Sequence, residues 1–127
     1  MASILVVDDV VSTTKIVEQL LSVKGHQVIC AVSGKEALKI IESKPIDLVI
    51  TDIVMPEMDG YELIRELHKQ SDPPKIIAMS GGSDTLDGEG LLHVAELMRV
   101  DRILLKPIES ASINAAVMEV LGAESTT

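Results

Sequence analysis

The sequence predicts an α/β fold, a doubly wound, five-stranded parallel sheet of strand order 2-1-3-4-5 (flavodoxin-like) with helices on both faces. Three observations predict it. Short β-branched runs alternate with longer stretches of helical periodicity, and five such pairs follow one another along the chain. The runs are almost continuous in Val, Ile and Leu, as strands covered on both faces are. Most of them end on a polar or charged residue, which is where an open α/β sheet presents its ligand crevice. With 127 residues and 46% hydrophobic content, the chain is sized for one domain with its own core.

The elements follow in order. The first strand, Ser3–Val7, runs into Asp8 and Asp9. TTKIVEQLLSVKG is the first helix, and its closing Lys24 and Gly25 suit a helix C-terminus. The second strand, Gln27–Val32, leads into SGKEALKIIESKP, which opens on a capping box from Ser33 to Glu36. The third strand, Ile46–Thr51, delivers Asp52, and GYELIRELHKQ supplies the next helix. Lys75–Met79 is the fourth strand, with Ser80 at its mouth, followed by the helical pattern GEGLLHVAELMR. The fifth strand, Arg102–Leu105, ends at Lys106 and Pro107, and ESASINAAVMEVLG closes the domain at residue 122. Residues 123–127, AESTT, read as a short disordered tail. Right-handed crossovers place the helices on both faces of the sheet, their Leu, Ile and Val stripes facing the core.

In the order 2-1-3-4-5, ligands bind beyond the carboxyl ends of the strands where the order reverses, between the first and third. That rule selects Asp8, Asp9, Asp52, Ser80 and Lys106. At an effective dielectric of about 20, two carboxylates about 4 Å apart repel by roughly 4 kcal/mol. Three of them need a proton or a cation, and an all-oxygen site with room for water suits Mg²⁺. Lys106 adds compensation. A divalent ion and an ammonium together receive a dianion such as phosphoryl, and Ser80 offers one of its oxygens a hydroxyl. Aspartate is itself a competent nucleophile in phosphoryl transfer, and Asp52 is the best placed of the three.

Composition narrows the function classes. A net charge of −9 argues against nucleic acid and anionic membrane as partners, because both demand clustered Lys and Arg. The chain shows no export leader and no apolar run near the roughly 18 residues of a membrane span, so the expected location is cytoplasmic. Cys30 is the single cysteine and is expected as a small buried hydrophobe. The glycine-rich stretch Gly81–Gly90 lacks the GK[ST] of a P-loop, and aligning Gly88 on a calcium loop puts Val94 where a bidentate Glu belongs. His26, His68 and His93 share no metal-ligand spacing, and His68 favours the negative end of its helix.

The set VVDD at 6–9, ITDIVMPEMDG at 50–60, MSG at 79–81 and LLKPI at 104–108 resembles the receiver domain of two-component response regulators, the stand-alone, chemotaxis-regulator kind included. The resemblance runs from about Ser3 to Leu121. It implies that Asp52 is the phospho-acceptor and that Asp8 and Asp9 hold Mg²⁺ with the Asp52 carboxylate and the Val54 carbonyl. It also implies that Lys106 and Ser80 bind the phosphoryl group, that Gly81 leaves it space, and that Lys106–Pro107 is a cis peptide. The resemblance further implies that Pro56 and Gly60 shape the loop after the acceptor and that Met55 packs beneath it. The implied partners are a sensor histidine kinase or phosphotransfer protein and a downstream protein target, with a monomer or a phosphorylation-dependent dimer as the assembly.

Three features depart from that pattern. Ile103 stands where Tyr or Phe is usual, and an aliphatic cannot swing a phenol to carry the signal outward. Gly81–Gly90 is several residues longer than the usual connection, and such loops gate sites. Val54 carries no polar atom to orient an attacking water, so slow self-dephosphorylation is expected. The leading function is thus a Mg²⁺-dependent phosphoryl-accepting switch that catalyses only its own phosphorylation and dephosphorylation and acts by docking. A phosphorelay intermediate is the alternative. An aspartate-nucleophile phosphohydrolase is the weakest reading, because such enzymes want a second Asp where Val54 stands.

Overall fold

The computed structural model describes residues 2–53, 60–80 and 96–122, except for the side chain of Tyr61. Five strands form one parallel sheet in the order β2-β1-β3-β4-β5: β1 (Ser3–Val7), β2 (Gln27–Ala31), β3 (Leu48–Asp52), β4 (Lys75–Ser80) and β5 (Arg102–Leu105). Helices α1 (Val11–Ser22), α2 (Gly34–Ser43), α3 (Gly60–His68) and a C-terminal helix, Ser110–Leu121, pack around it. The expected fold class is the observed one. Of the helix expected across GEGLLHVAELMR, residues 96–98 are helical and residues 88–95 lie outside the described residues, as does the expected tail at 123–127.

Alternation along the strands sorts the core into two layers. Ile4, Val6, Leu48, Ile50, Ile77 and Met79 face α1 and the C-terminal helix, where Val17, Leu21, Ile113 and Val117 meet them. Leu5, Val7, Val49 and Ile76 face α2 and α3, meeting Ala37, Leu63, Ile64 and Leu67. Leu21 and Leu67 are fully buried, and truncating either to Ala would cost about 2–5 kcal/mol.

The strand and helix ends differ from the sequence expectation where side chains intercept the backbone. β3 starts at Leu48 rather than Ile46, because Asp47 turns its Oδ2 to the Ser3 amide at 2.9 Å before the ladder begins. β2 stops at Ala31 rather than Val32, whose amide is taken by Glu36 Oε1 at 3.0 Å. The Ser33 hydroxyl accepts from the Glu36 amide at 3.1 Å, so the capping box forms with its return bond shifted one residue upstream. α1 begins at Val11, two residues early, because the Val10 carbonyl accepts from both Thr13 and Thr14. It ends in a turn where Gly25, at φ +92°, donates to Ser22 and His26 donates to Leu21. Cys30 is half-buried rather than buried, with Sγ 3.7 Å from the Thr14 carbonyl, and burial followed by the charge of Glu18 pushes its thiol up.

Parallel register aligns the carboxyl ends. Val7 pairs with both Ala31 and Thr51, Asp52 with Met79, and Ser80 with Leu105. The ladder also runs one residue beyond the strands: Asp8 donates to Ala31, Ile53 to Met79 and Lys106 to Ser80. These three bonds anchor the backbone at the carboxyl edge of the sheet, where Asp8, Asp52 and Lys106 emerge.

Candidate functional site

The site stands on the carboxyl ends of the adjacent strands β1 and β3 and on the turn after β5. β1 delivers Asp8, which is fully buried, and Asp9, which is exposed. β3 delivers Asp52, 8% exposed. From the far side, the turn after β5 carries Lys106 through a cis peptide to Pro107, as expected. One carboxylate oxygen from each of Asp8, Asp9 and Asp52 lies within 4.8 Å of the other two, and Lys106 Nζ sits 2.6 Å from Asp8 Oδ2 and 3.4 Å from Asp52 Oδ2. Ser80 is half-buried at the end of β4, beside Leu105, and its carbonyl takes the Lys106 amide. The structure therefore brings Asp8, Asp9, Asp52 and Lys106 together and puts Ser80 on the neighbouring strand end. Val54, Met55, Pro56 and Gly81 lie outside the described residues, as does the whole of the Gly81–Gly90 connection and the chain on to residue 95.

Backbone groups tie the two buried carboxylates down. Asp8 Oδ1 accepts from the Val10 amide at 2.9 Å, and Asp52 Oδ1 from the Ile53 amide at 2.9 Å. Each therefore spends one oxygen on its own turn and aims the other at Lys106. Asp52 is held above the usual carboxylate range, first by burial and then by the charge of Asp8, while Lys106 and the Ile53 amide work against that rise. For Lys106, burial alone would lower the ammonium, but its hydrogen bond to Asp8 and the charges of Asp52 and Asp8 outweigh burial and raise it.

The donor set fits a hard cation. Mg²⁺ takes oxygen ligands and keeps several waters, and the three carboxylate oxygens gathered within 4.8 Å, one of them on the exposed Asp9, would hold such an ion.

Two supporting residues carry more than their letters announce. Gly60 begins α3 so close to the end of β3 that a Cβ there would stand 2.2 Å from the Asp52 carbonyl oxygen. Thr51, fully buried, donates its hydroxyl to that same oxygen at 2.9 Å. Sequence reasoning passed over Thr51. Its signal was a hydroxyl inside an otherwise apolar strand, one residue before the key carboxylate.

Carboxylates gathered at the switch point of a 2-1-3-4-5 sheet, with a lysine reaching across from the last strand, place the chain among the receiver modules of two-component signalling. The response regulator receiver domain matches residues 4–118, and the chain belongs to that family. Among curated proteins it is similar to the probable transcriptional regulator ycf27 of Porphyridium aerugineum, 38% identical over 120 residues that cover 93% of this chain and 47% of the relative. The chain spans about half the length of the curated relatives it matches. Among solved structures it resembles a response regulator receiver domain protein from Clostridium thermocellum, with TM-score 0.82, 27% identity and coverage of 99% of this chain and 98% of that one. It also resembles the chemotaxis response regulator CheY4 of Vibrio cholerae, with TM-score 0.83, 27% identity and coverage of 95% and 99%. Among the described residues, no helix is long and apolar enough to cross a membrane.

Proposed function

We propose that this receiver takes a phosphoryl group from a phosphohistidine on a cytoplasmic sensor kinase or phosphotransfer protein onto Asp52, and that the phosphorylated domain switches its binding to a downstream protein. The observation that carries the reading is the placement of Lys106 within reach of both Asp8 and Asp52, which marks where a dianion's charge would be met. In the transfer, Asp52 Oδ2 forms a bond to phosphorus while the bond from phosphorus to the imidazole nitrogen breaks. The nitrogen keeps that electron pair and takes up a proton as it leaves. Asp8, Asp9 and the Asp52 carboxylate would hold Mg²⁺, with the Val54 carbonyl as a fourth protein ligand, and the ion supplies charge neutralisation to the transferring group. Lys106 stabilises developing charge on the phosphoryl oxygens, and Ser80 donates its hydroxyl to one of them, with Gly81 leaving space beside it.

The Ile53 amide keeps Asp52 Oδ1 occupied, so Oδ2 is the oxygen that attacks. Fixing one oxygen spares the nucleophile an orientational search. The net charge of −9 supports protein rather than nucleic acid as the direct partner of this domain.

The test is incubation with acetyl phosphate and Mg²⁺, followed by intact-mass measurement. The expected result is a stoichiometric, acid-labile adduct that is lost in Asp52→Asn, in Asp8→Asn/Asp9→Asn and with EDTA. No adduct from acetyl phosphate or from a phosphohistidine donor would falsify the assignment. Continuous release of phosphate would point to a hydrolase, and back-transfer of label to a phosphotransfer protein to a relay.

A further inference from the structure

We infer that a groove between α3 and residues 96–99 docks an acidic peptide segment of a protein partner through an apolar anchor, independently of the carboxylate site. The groove is about 450 Å³. Its floor is Ile64 and Met98, both buried, and Leu97 stands over it 69% exposed. Its rim is cationic, formed by Arg65, Lys69 and Arg99, so two of the chain's three arginines line one groove of a protein with net charge −9.

Two of the three charges on that rim are not consumed by the fold. Lys69 pairs with Glu66 at 2.9 Å, but among the described residues the guanidinium groups of Arg65 and Arg99 meet neither an ion-pair nor a hydrogen-bond partner. Of the nearby acids, Asp101 gives its Oδ2 to the Ile76 amide, and Glu96 is exposed one turn before Arg99. An unpaired guanidinium beside buried apolar surface is a ready fork for a carboxylate.

The walls are also held in place. His68 Nε2 donates to the Arg99 carbonyl at 2.8 Å, tying the last turn of α3 to a residue whose backbone is left-handed, φ +60°. A groove latched in this way is pre-formed, which lowers the ordering cost of binding.

Its position separates it from the carboxylates. α3 starts at Gly60 against the Asp52 carbonyl and runs away from it, so His68 lies toward the amino ends of the sheet, where Lys75 and Arg102 begin β4 and β5. An occupant here leaves the crevice free for a phosphodonor. A peptide fits better than a nucleic acid: the floor is apolar, the chain's single aromatic residue gives no stacking platform, and the acidic remainder of the surface repels a polyanion longer than the groove.

The test pans a display library of peptides rich in Asp, Glu, Leu, Ile and Met against the full chain, with single-stranded DNA and phosphatidylserine vesicles in parallel. The expected winners carry acidic residues flanking an apolar one, weaken as salt rises, and lose at least about tenfold in affinity on Arg65→Glu/Arg99→Glu. Leu97→Ser, at an exposed position, is expected to weaken them as well, and Asp52→Asn to leave them unchanged, with melting temperatures confirming that each variant is folded. An empty selection, winners indifferent to the arginine pair, or tighter binding of DNA or vesicles would overturn the proposal.

Discussion

Lys106 and Asp8 meet at 2.6 Å across 98 residues of sequence, closer than the 3.4 Å between Lys106 and Asp52. The nearer partner is also the more deeply buried, since Asp8 has no exposed surface while Asp52 keeps 8%. The ammonium therefore acts first as the counter-charge of a carboxylate cut off from water. Removing one member of a buried pair costs about 3–5 kcal/mol, and Asp8 would still keep the Val10 amide, so Lys106→Met is expected to lose about 2–3 kcal/mol in urea unfolding with EDTA present. Adding Asp8→Asn to that variant should recover most of the loss, because no uncompensated charge remains. A single variant as stable as the parent would show that the contact carries no net stabilisation.

Asp52 contributes in the opposite sense. Burial and then Asp8 raise it above its ordinary 3.8, so the folded chain holds this proton more readily than the unfolded chain does. Between the ordinary and the raised value stability falls as pH rises, and above the raised value the whole penalty stands. Asp52→Asn removes that penalty. In EDTA the variant is expected to melt above the parent at pH 7, with the gap closing as pH is lowered toward 4. A variant that melts below the parent at pH 7 would contradict this sign.

Two glycines should fail on substitution for different reasons. At Gly60 an added Cβ stands 2.2 Å from the Asp52 carbonyl and 2.7 Å from Ile53 Cα, and the Gly60 amide is pinned to the Ile53 carbonyl at 2.8 Å. Gly60→Ala must therefore push backbone, at a cost of about 2–3 kcal/mol, and should also reduce the acetyl phosphate adduct by displacing Asp52. At Gly25 nothing lies within 4 Å, but φ is +92°, so Gly25→Ala should cost about 1 kcal/mol and leave the adduct intact. Denaturant midpoints together with adduct yield separate the two cases; equal adduct yields would remove Gly60 from the support of the site.

Strand order and the site's location were legible because both follow from where apolar runs stop: Asp8 and Lys106 each sit one step beyond a run of Val, Ile and Leu, and Asp52 follows such a run after Thr51. Register did the rest, setting Asp52 beside Met79 and Ser80 beside Leu105. What escaped were choices made by side chains among competing backbone partners. Nothing in the order of letters says that Asp47 will cap Ser3 and shorten β3, or that Glu36 will reach past Ser33 to Val32. The dual use of Asp8, one oxygen for Val10 and one for Lys106, was also hidden, because a residue's letter does not assign each carboxylate oxygen its own partner. Thr51 was missed for a related reason: its partner is a carbonyl, and carbonyls have no letter.

His26 ties the start of the chain down in a pH-dependent way. Its Nδ1 accepts from the Ala2 amide at 3.2 Å, which requires the neutral ring. Burial, and then the positive chain terminus, lower its pKa below the ordinary 6.5. A depressed histidine contributes stability that is fully present above 6.5 and is lost as pH falls through the lower folded value. Thermal melts from pH 7.5 to 5 should fall more steeply for the parent than for His26→Gln, whose amide oxygen offers an acceptor that does not titrate. Parallel curves would show that this bond contributes nothing to the pH dependence.

If Asp52 takes the phosphoryl group as proposed, the lifetime of that form is expected to turn on Val54, two residues further along the chain. Hydrolysis of an aspartyl-phosphate requires a water in line with the bond to be broken, and a hydrogen-bonding side chain near the phosphorus speeds it by holding that water. Valine has no such group, so the spontaneous decay of phosphorylated Asp52 is expected to run to minutes or longer. One hydrogen bond is worth about 1–1.5 kcal/mol, so Val54→Asn should shorten the lifetime on the order of tenfold. Decay of the acid-labile adduct after the donor is removed gives both rates, and a parent half-life of seconds that Val54→Asn leaves unchanged would show that water access, rather than water orientation, limits the reaction.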